Sequence, residues 1–137
     1  MGWAGSLTRI ANYEVETLQK RLGDVTARRL DAELRMTLLV AEAEAEADNA
    51  RTDREAAVMH PAYVQGWRAR RDKLQGQIGA LQVEESGARD ALSRAFEELK
   101  KYEHVVELAK VAAVKTAARR ETATLDELGL RAAAGMR

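Results

Sequence analysis

From Leu74 to Ala113, small or apolar side chains recur at alternating steps of four and three without a gap. The positions are Leu74, Ile78, Leu81, Glu85, Ala88, Leu92, Ala95, Leu99, Tyr102, Val106, Ala109 and Ala113, and only Glu85 departs from the apolar pattern. Such a repeat forms one continuous face only on a long helix, and that face stays wet unless a second helix covers it. The first arm supplies the partner. Leu7, Ala11, Val15, Leu18, Leu22 and Val25 step by four and three, starting after a plausible N-cap at Ser6. Beyond Val25 the series Leu30, Leu34 and Leu38 steps by consecutive fours, which reads as a stutter that locally unwinds the supercoil.

Composition agrees with long helices and argues against a thick globular core. In 137 residues there are one Phe, three Tyr and two Trp, against 46% hydrophobic and 32% charged residues overall. Lys plus Arg equals Asp plus Glu at 22 each, so the net positive field that non-specific nucleic-acid binding requires is missing, and no nucleic-acid partner is expected. The absence of cysteine rules out disulfides and thiolate chemistry and fits a reducing compartment, with a cytoplasmic location expected. The longest purely apolar run, Leu38 to Ala41, is far short of the ~20 residues of a spanning helix, and no basic-then-apolar leader precedes the first arm. Met1, Gly2 and Ser6 satisfy a myristoylation pattern, but so short a match is commonplace.

The single proline, Pro61, marks the expected turn, because it lacks an N–H and pushes His60 out of the helical region. The expected fold is an all-α antiparallel coiled-coil hairpin of unequal arms, residues 1–137 forming one unit. Arm one spans about 6–59, the hinge about 59–62, arm two about 61–128, and a frayed tail covers 129–137. Gly129 between Leu128 and Leu130 reads as a Schellman stop. A turn near residue 60 makes facing residue numbers sum to roughly 120, setting Leu39 near Leu81, Leu22 near Leu99, Leu18 near Tyr102 and Leu7 near Ala113. Everything past about Lys115 then overhangs, and an unpaired helix is marginal in water.

Groups able to do chemistry are sparse, so no catalytic, metal or cofactor residue is assigned and no enzyme is expected. His104 with Glu107 one turn on could in principle touch a metal, but a surface histidine is the simpler reading. Glu42, Glu44 and Glu46 scatter around a helix and read as solvating charge. Gly66, Gly76, Gly79 and Gly87 fit either close helix approach or a pliable end, and the sequence leaves the two open. Tyr63 and Trp67, one turn apart, place two aromatics on one face, either as a docking surface or as part of the seam. The basic cluster Arg68, Arg70 and Arg71 follows; it suits solvent or an acidic surface.

Several stretches carry a family likeness. They are Ser6-Leu7-Thr8-Arg9-Ile10 with Tyr13-Glu14-Val15-Glu16, then His60-Pro61-Ala62-Tyr63 with Trp67, then Ala95-Phe96-Glu97-Glu98-Leu99-Lys100-Lys101 within Ala91 to Glu103, and finally Leu125-Asp126-Glu127-Leu128-Gly129-Leu130. Over its whole length the chain resembles the flagellar export protein FliJ family of the alphaproteobacterial type. The resemblance implies a hairpin similar to the central stalk of rotary ATPases, acting as an adaptor in flagellar type III export. Implied partners are the hexameric export ATPase, the membrane export gate and export chaperones, with peripheral membrane association through that apparatus alone. By the stalk analogy the termini enter the ATPase ring through Arg119, Arg120, Leu125 and Leu128, and the hinge end meets the gate through Tyr63, Trp67, Arg70, Arg71 and Leu74. The competing reading is a coiled-coil spacer that oligomerises without regulating an enzyme.

Overall fold

The computed structural model describes residues 2–135; Met1, Met136 and Arg137 lie outside them, and with them the first residue of the myristoylation pattern and the last two of the expected tail. Two helices follow in order, α1 (Trp3–Thr52) and α2 (Arg54–Gly135), folded as a helical hairpin with arms of 50 and 82 residues. They divide into two compact units. One is Val15–Arg94; the other joins the chain through Glu14 to the segment from Ala95 onward.

The turn falls at Asp53, not at Pro61. Asp53 donates its N–H to the Asn49 carbonyl at 3.0 Å, closing α1, and its own carbonyl accepts from Ala57 N–H at 2.9 Å, opening α2. Its side chain caps α2, Oδ1 accepting the Glu55 N–H at 3.0 Å. Arg51 in the last turn of α1 and Glu55 in the first turn of α2 each complement the local helix dipole. No described residue outside glycine takes a positive φ, and neither does any glycine. Pro61 is instead carried inside α2. It forfeits one hydrogen bond, to the carbonyl of Ala57, and both residues are exposed, so water can satisfy the freed oxygen.

The helix also continues past Gly129 to Gly135, which corrects the expected stop at 128 and the frayed tail from 129. Gly129 never adopts the left-handed conformation a Schellman turn needs. Glu127 and Arg131 pair across it at 2.8 Å, and Ala132, Ala133 and Ala134 are the strongest helix formers available.

In the Val15–Arg94 unit the seam of α1 runs through Val15, Leu18, Leu22, Val25, Arg29, Ala32, Met36, Leu39 and Ala43, an unbroken 4-3 series of buried or half-buried residues. There is no stutter. Leu30, Leu34 and Leu38 are 54%, 57% and 61% exposed, on the side of α1 turned away from its partner. The seam of α2 matches the expected one and extends back from Leu74 through Arg71, Trp67, Val64 and His60. Val25, at 1% exposure, is its most fully buried large side chain, and Ala88 is wholly buried.

Arg29 and Glu85 occupy facing seam positions. Arg29 Nε donates to Glu85 Oε2 at 2.6 Å and its NH1 to Glu33 at 3.0 Å, while Arg89 reaches Glu85 Oε1 at 3.2 Å. The guanidinium of Arg29 holds the Glu85 carboxyl below the usual carboxylate range, with Thr26 and Arg89 adding hydrogen bonds and burial opposing. Arg28 with Glu84, at 2.9 Å, and Arg70 with Glu42, at 3.2 Å, bridge the same two helices. These pairs correct the expected register: the partner of Glu85 lies about one heptad nearer the N-terminus than a turn at Pro61 requires. A heptad shift leaves every seam residue on the seam. A single buried polar pair breaks that degeneracy, which is the best-attested use of such pairs.

In the other unit Ala11 and, on α2, Ala95 and Leu99 are buried. Ala4 and Gly5 of α1 line a groove against Val106, Ala109 and Ala113 of α2, where small side chains let the helices approach.

Candidate protein-binding surfaces

The hinge-side aromatics face inward. The indole Nε1–H of Trp67 donates to the Leu39 carbonyl at 2.8 Å, so the ring is laid across α1. Arg71 stacks over it, its guanidinium carbon 5.4 Å from the ring centroid, and His60 stacks on Tyr63 with centroids 6.2 Å apart. The Tyr63 hydroxyl is buried with no hydrogen-bond partner; burial, with Glu42 nearby, pushes its pKa upward. Together with Ala43, Ala47 and Val64 these side chains line a small cleft between the helices. Leu74 is a seam residue at 9% exposure and offers no surface to a partner, so it leaves the expected gate set. Arg70 remains exposed, although paired with Glu42. Five residues grouped by sequence thus separate: Trp67, Tyr63 and Arg71 are half-buried in the seam, Leu74 is core, and Arg70 alone is an outward group.

What the turn does expose is apolar. Val58 and Met59 are 74% and 63% exposed at the start of α2. Neither was singled out in the sequence, because the turn was placed at their C-terminal side instead of before them.

The C-terminal segment of α2 is bare. Every described residue from Glu107 onward is exposed. Val111, Val114, Ala118 and Leu125 fall within about 40° of one line on the helix, with Leu128 on the flank of that stripe. Val114, Leu125 and Leu128 are 69%, 61% and 53% exposed. Of the expected ring-contact residues, Leu125 and Leu128 therefore share a face. Arg119 and Arg120 lie about 120° and 140° around from Leu125, in opposite senses, so neither shares this stripe. Ala4 and Gly5 of α1 still lie against Ala109 and Ala113, so the unpartnered segment begins just past Ala113.

No group of three or more His, Asp or Glu among the described residues is placed to hold a metal ion. No helix among them is long and apolar enough to cross a membrane. Among the described residues the clearly perturbed titratable groups, Arg29, Glu85, Tyr63 and Tyr102, are explained by seam packing and by the Tyr102 hydroxyl donating to Glu98 at 2.8 Å.

No family model matches the chain, and no solved structure does. Curated relatives do. The chain is 57% identical, over 132 residues, to proteins named "Flagellar FliJ protein" from two strains of Caulobacter vibrioides, NA1000 / CB15N and ATCC 19089 / CIP 103742 / CB 15. Each alignment covers 96% of this chain and 95% of the relative. At that identity over nearly the whole of both sequences, two long heptad helices alone do not explain the likeness, and the chain belongs to the flagellar FliJ family.

Proposed function

We propose that the protein is a non-enzymatic adaptor of the flagellar type III export apparatus, in which the bare end of α2 engages the hexameric export ATPase and promotes its ring. One observation carries this reading. A helix of 82 residues is laid against one of 50, and its surplus length carries a continuous apolar stripe that nothing in the chain covers. Such a face is stable in water only as a loan to a partner. Leu125 and Leu128, with Val111 and Val114, form the contact; Arg119 and Arg120 fall outside the stripe.

The hinge end is the second contact, with the membrane export gate. Here the outward groups are Val58, Met59 and Arg70, while Tyr63, Trp67 and Arg71 shape the turn from within. Export chaperones are further partners, and membrane association is peripheral, at the flagellar base, through the apparatus. A spacer that merely oligomerises has no use for arms of unequal length.

Deleting residues after Lys115 tests the reading. The truncated chain should melt as the full chain does, since the removed residues bury nothing, yet fail to stimulate the cognate ATPase. Stimulation equal to that of the full chain would place the ring contact elsewhere.

A further inference from the structure

The leucines that broke the expected seam form a second surface, and its pattern names its own partner. Gly23, Ala27, Leu30, Leu34, Leu38, Ala41 and Ala45 are all exposed and lie within about 40° of one line along the back of α1. Their order is symmetric about Leu34. Leu30 and Leu38 stand four residues to either side, Ala27 and Ala41 seven, and Gly23 and Ala45 eleven, with bulk falling off evenly both ways. A stripe that reads the same in both directions is complementary to itself when a second copy is turned antiparallel, which is the requirement of an isologous two-fold contact.

One flank of the stripe is charged, and a two-fold axis at Leu34 sets opposite signs together at two of its positions. Asp24, Arg28, Asp31, Arg35 and Glu42 follow that edge. In an antiparallel pair the same edges of the two helices meet, so centring on Leu34 brings Asp31 beside Arg35 of the other copy and Arg28 beside its Glu42, each twice, while Arg35 also nears its own counterpart and Asp24 nears Glu42. Within one chain Asp31 and Arg35 bond each other, and Arg28 and Glu42 reach α2 through pairs that are 40–56% exposed, so all four can be shared without breaking a buried group.

We infer that the back of α1, centred on Leu34, is an interface between two copies of this chain, packed antiparallel about a two-fold axis through Leu34. The contact covers residues 23–45, about 33 Å of helix at 1.5 Å per residue, which is short for a permanent dimer and fits reversible, concentration-dependent association. The seam within each copy stays intact, since the stripe faces away from α2, and the inference does not depend on the export reading.

Sedimentation of the full chain over a range of concentrations should show a monomer passing to a dimer. Leu34→Asp places two carboxylates on the axis and should weaken association by roughly 100-fold or more while leaving the dilute melting curve unchanged. Asp31→Arg and Arg35→Asp should each weaken it, and the double variant should restore it. Because the chain has no cysteine, oxidation of single-cysteine variants reads the geometry directly. Leu34→Cys should yield a covalent dimer, and Leu30→Cys should link to Leu38→Cys but not to itself. A monomer at every concentration would overturn the inference, as would a dimer indifferent to Leu34→Asp or a Leu30→Cys self-link. A monomeric chain in which Leu34→Asp abolishes capture by the export ATPase would also overturn it, by giving the stripe to a different protein.

Discussion

Val25→Ala and Leu34→Ala, compared in dilute solution, separate the observed seam from the one the leucines suggest. Val25 is 1% exposed. Removing two buried methyl groups forfeits about 1.6 kcal/mol of transfer free energy at ~0.8 kcal/mol per carbon, and incomplete collapse of the seam adds up to about 1 kcal/mol. Alanine regains about 0.5 kcal/mol of helix propensity over valine. The net cost is about 2 kcal/mol. Leu34 is the larger side chain but is already 57% exposed, so its loss removes little buried area and its propensity change is about 0.2 kcal/mol. Leu34→Ala should therefore lie within about 0.5 kcal/mol of the parent. Urea unfolding followed by far-ultraviolet circular dichroism, at concentrations too low for self-association, measures both. If Leu34→Ala costs as much as Val25→Ala, the seam passes through the leucines and the arrangement around Arg29 is wrong.

Pro61→Ala should stabilise, by up to about 3 kcal/mol, because it restores a hydrogen bond inside α2; a proline that formed the turn would give the opposite sign in the same denaturation experiment. Asp53→Ala should cost about 1 kcal/mol through loss of the α2 cap, read by the same unfolding midpoint. Glu85 has a lowered folded-state pKa, so its contribution is present above the ordinary carboxylate pKa and is lost as pH falls through the lowered value; stability should drop below about pH 4, and Glu85→Gln should flatten that acid limb of a pH–stability profile. Leu99→Asp, at a position 8% exposed, should cost about 3 kcal/mol or more, and a melting curve close to the parent's would show that Leu99 is not in the seam.

Periodicity made the architecture legible. The α2 seam from Leu74 to Tyr102 and the α1 seam to Val25 stand in the structure as they do in the sequence, because only a buried stripe keeps a 4-3 spacing for so long. The turn was harder to read. Pro61 is the stronger local punctuation, yet a proline on an exposed face costs one hydrogen bond, whereas Asp53 closes one helix, opens the next and caps it. The clustered Asp48, Asn49, Thr52 and Asp53 were the available signal, since these residues favour caps over helix interiors. Misplacing the turn shifted the register by about one heptad, an error invisible to any argument from periodicity. Arg29 hid for a related reason: a charged residue at a seam position looks like an interruption, and Leu30, Leu34 and Leu38 offered an apolar path around it. Reading Arg29 against Glu85, the one charged residue in the α2 series from Leu74 to Ala113, would have recovered both the seam and the register.

The surfaces were legible in proportion to how little the rest of the chain uses them. Leu125 and Leu128 kept their expected exposure because no partner helix reaches them. Tyr63 and Trp67 did not, because an aromatic pair one turn apart fills a seam near a tight turn as well as it fills a partner's pocket.

Hydrogen–deuterium exchange of the full chain, alone and with the cognate hexameric export ATPase, tests the central claim most directly. Free, the amides of the buried seams, 11–32 and 74–102, should exchange slowly and those from 115 to 135 fast, because a helix with no packed face opens at little cost. With the ring present, protection should appear across Val111 to Leu128 while the seams stay as they were. Strong protection of that segment in the free chain, or none gained on adding the ring, would contradict the account.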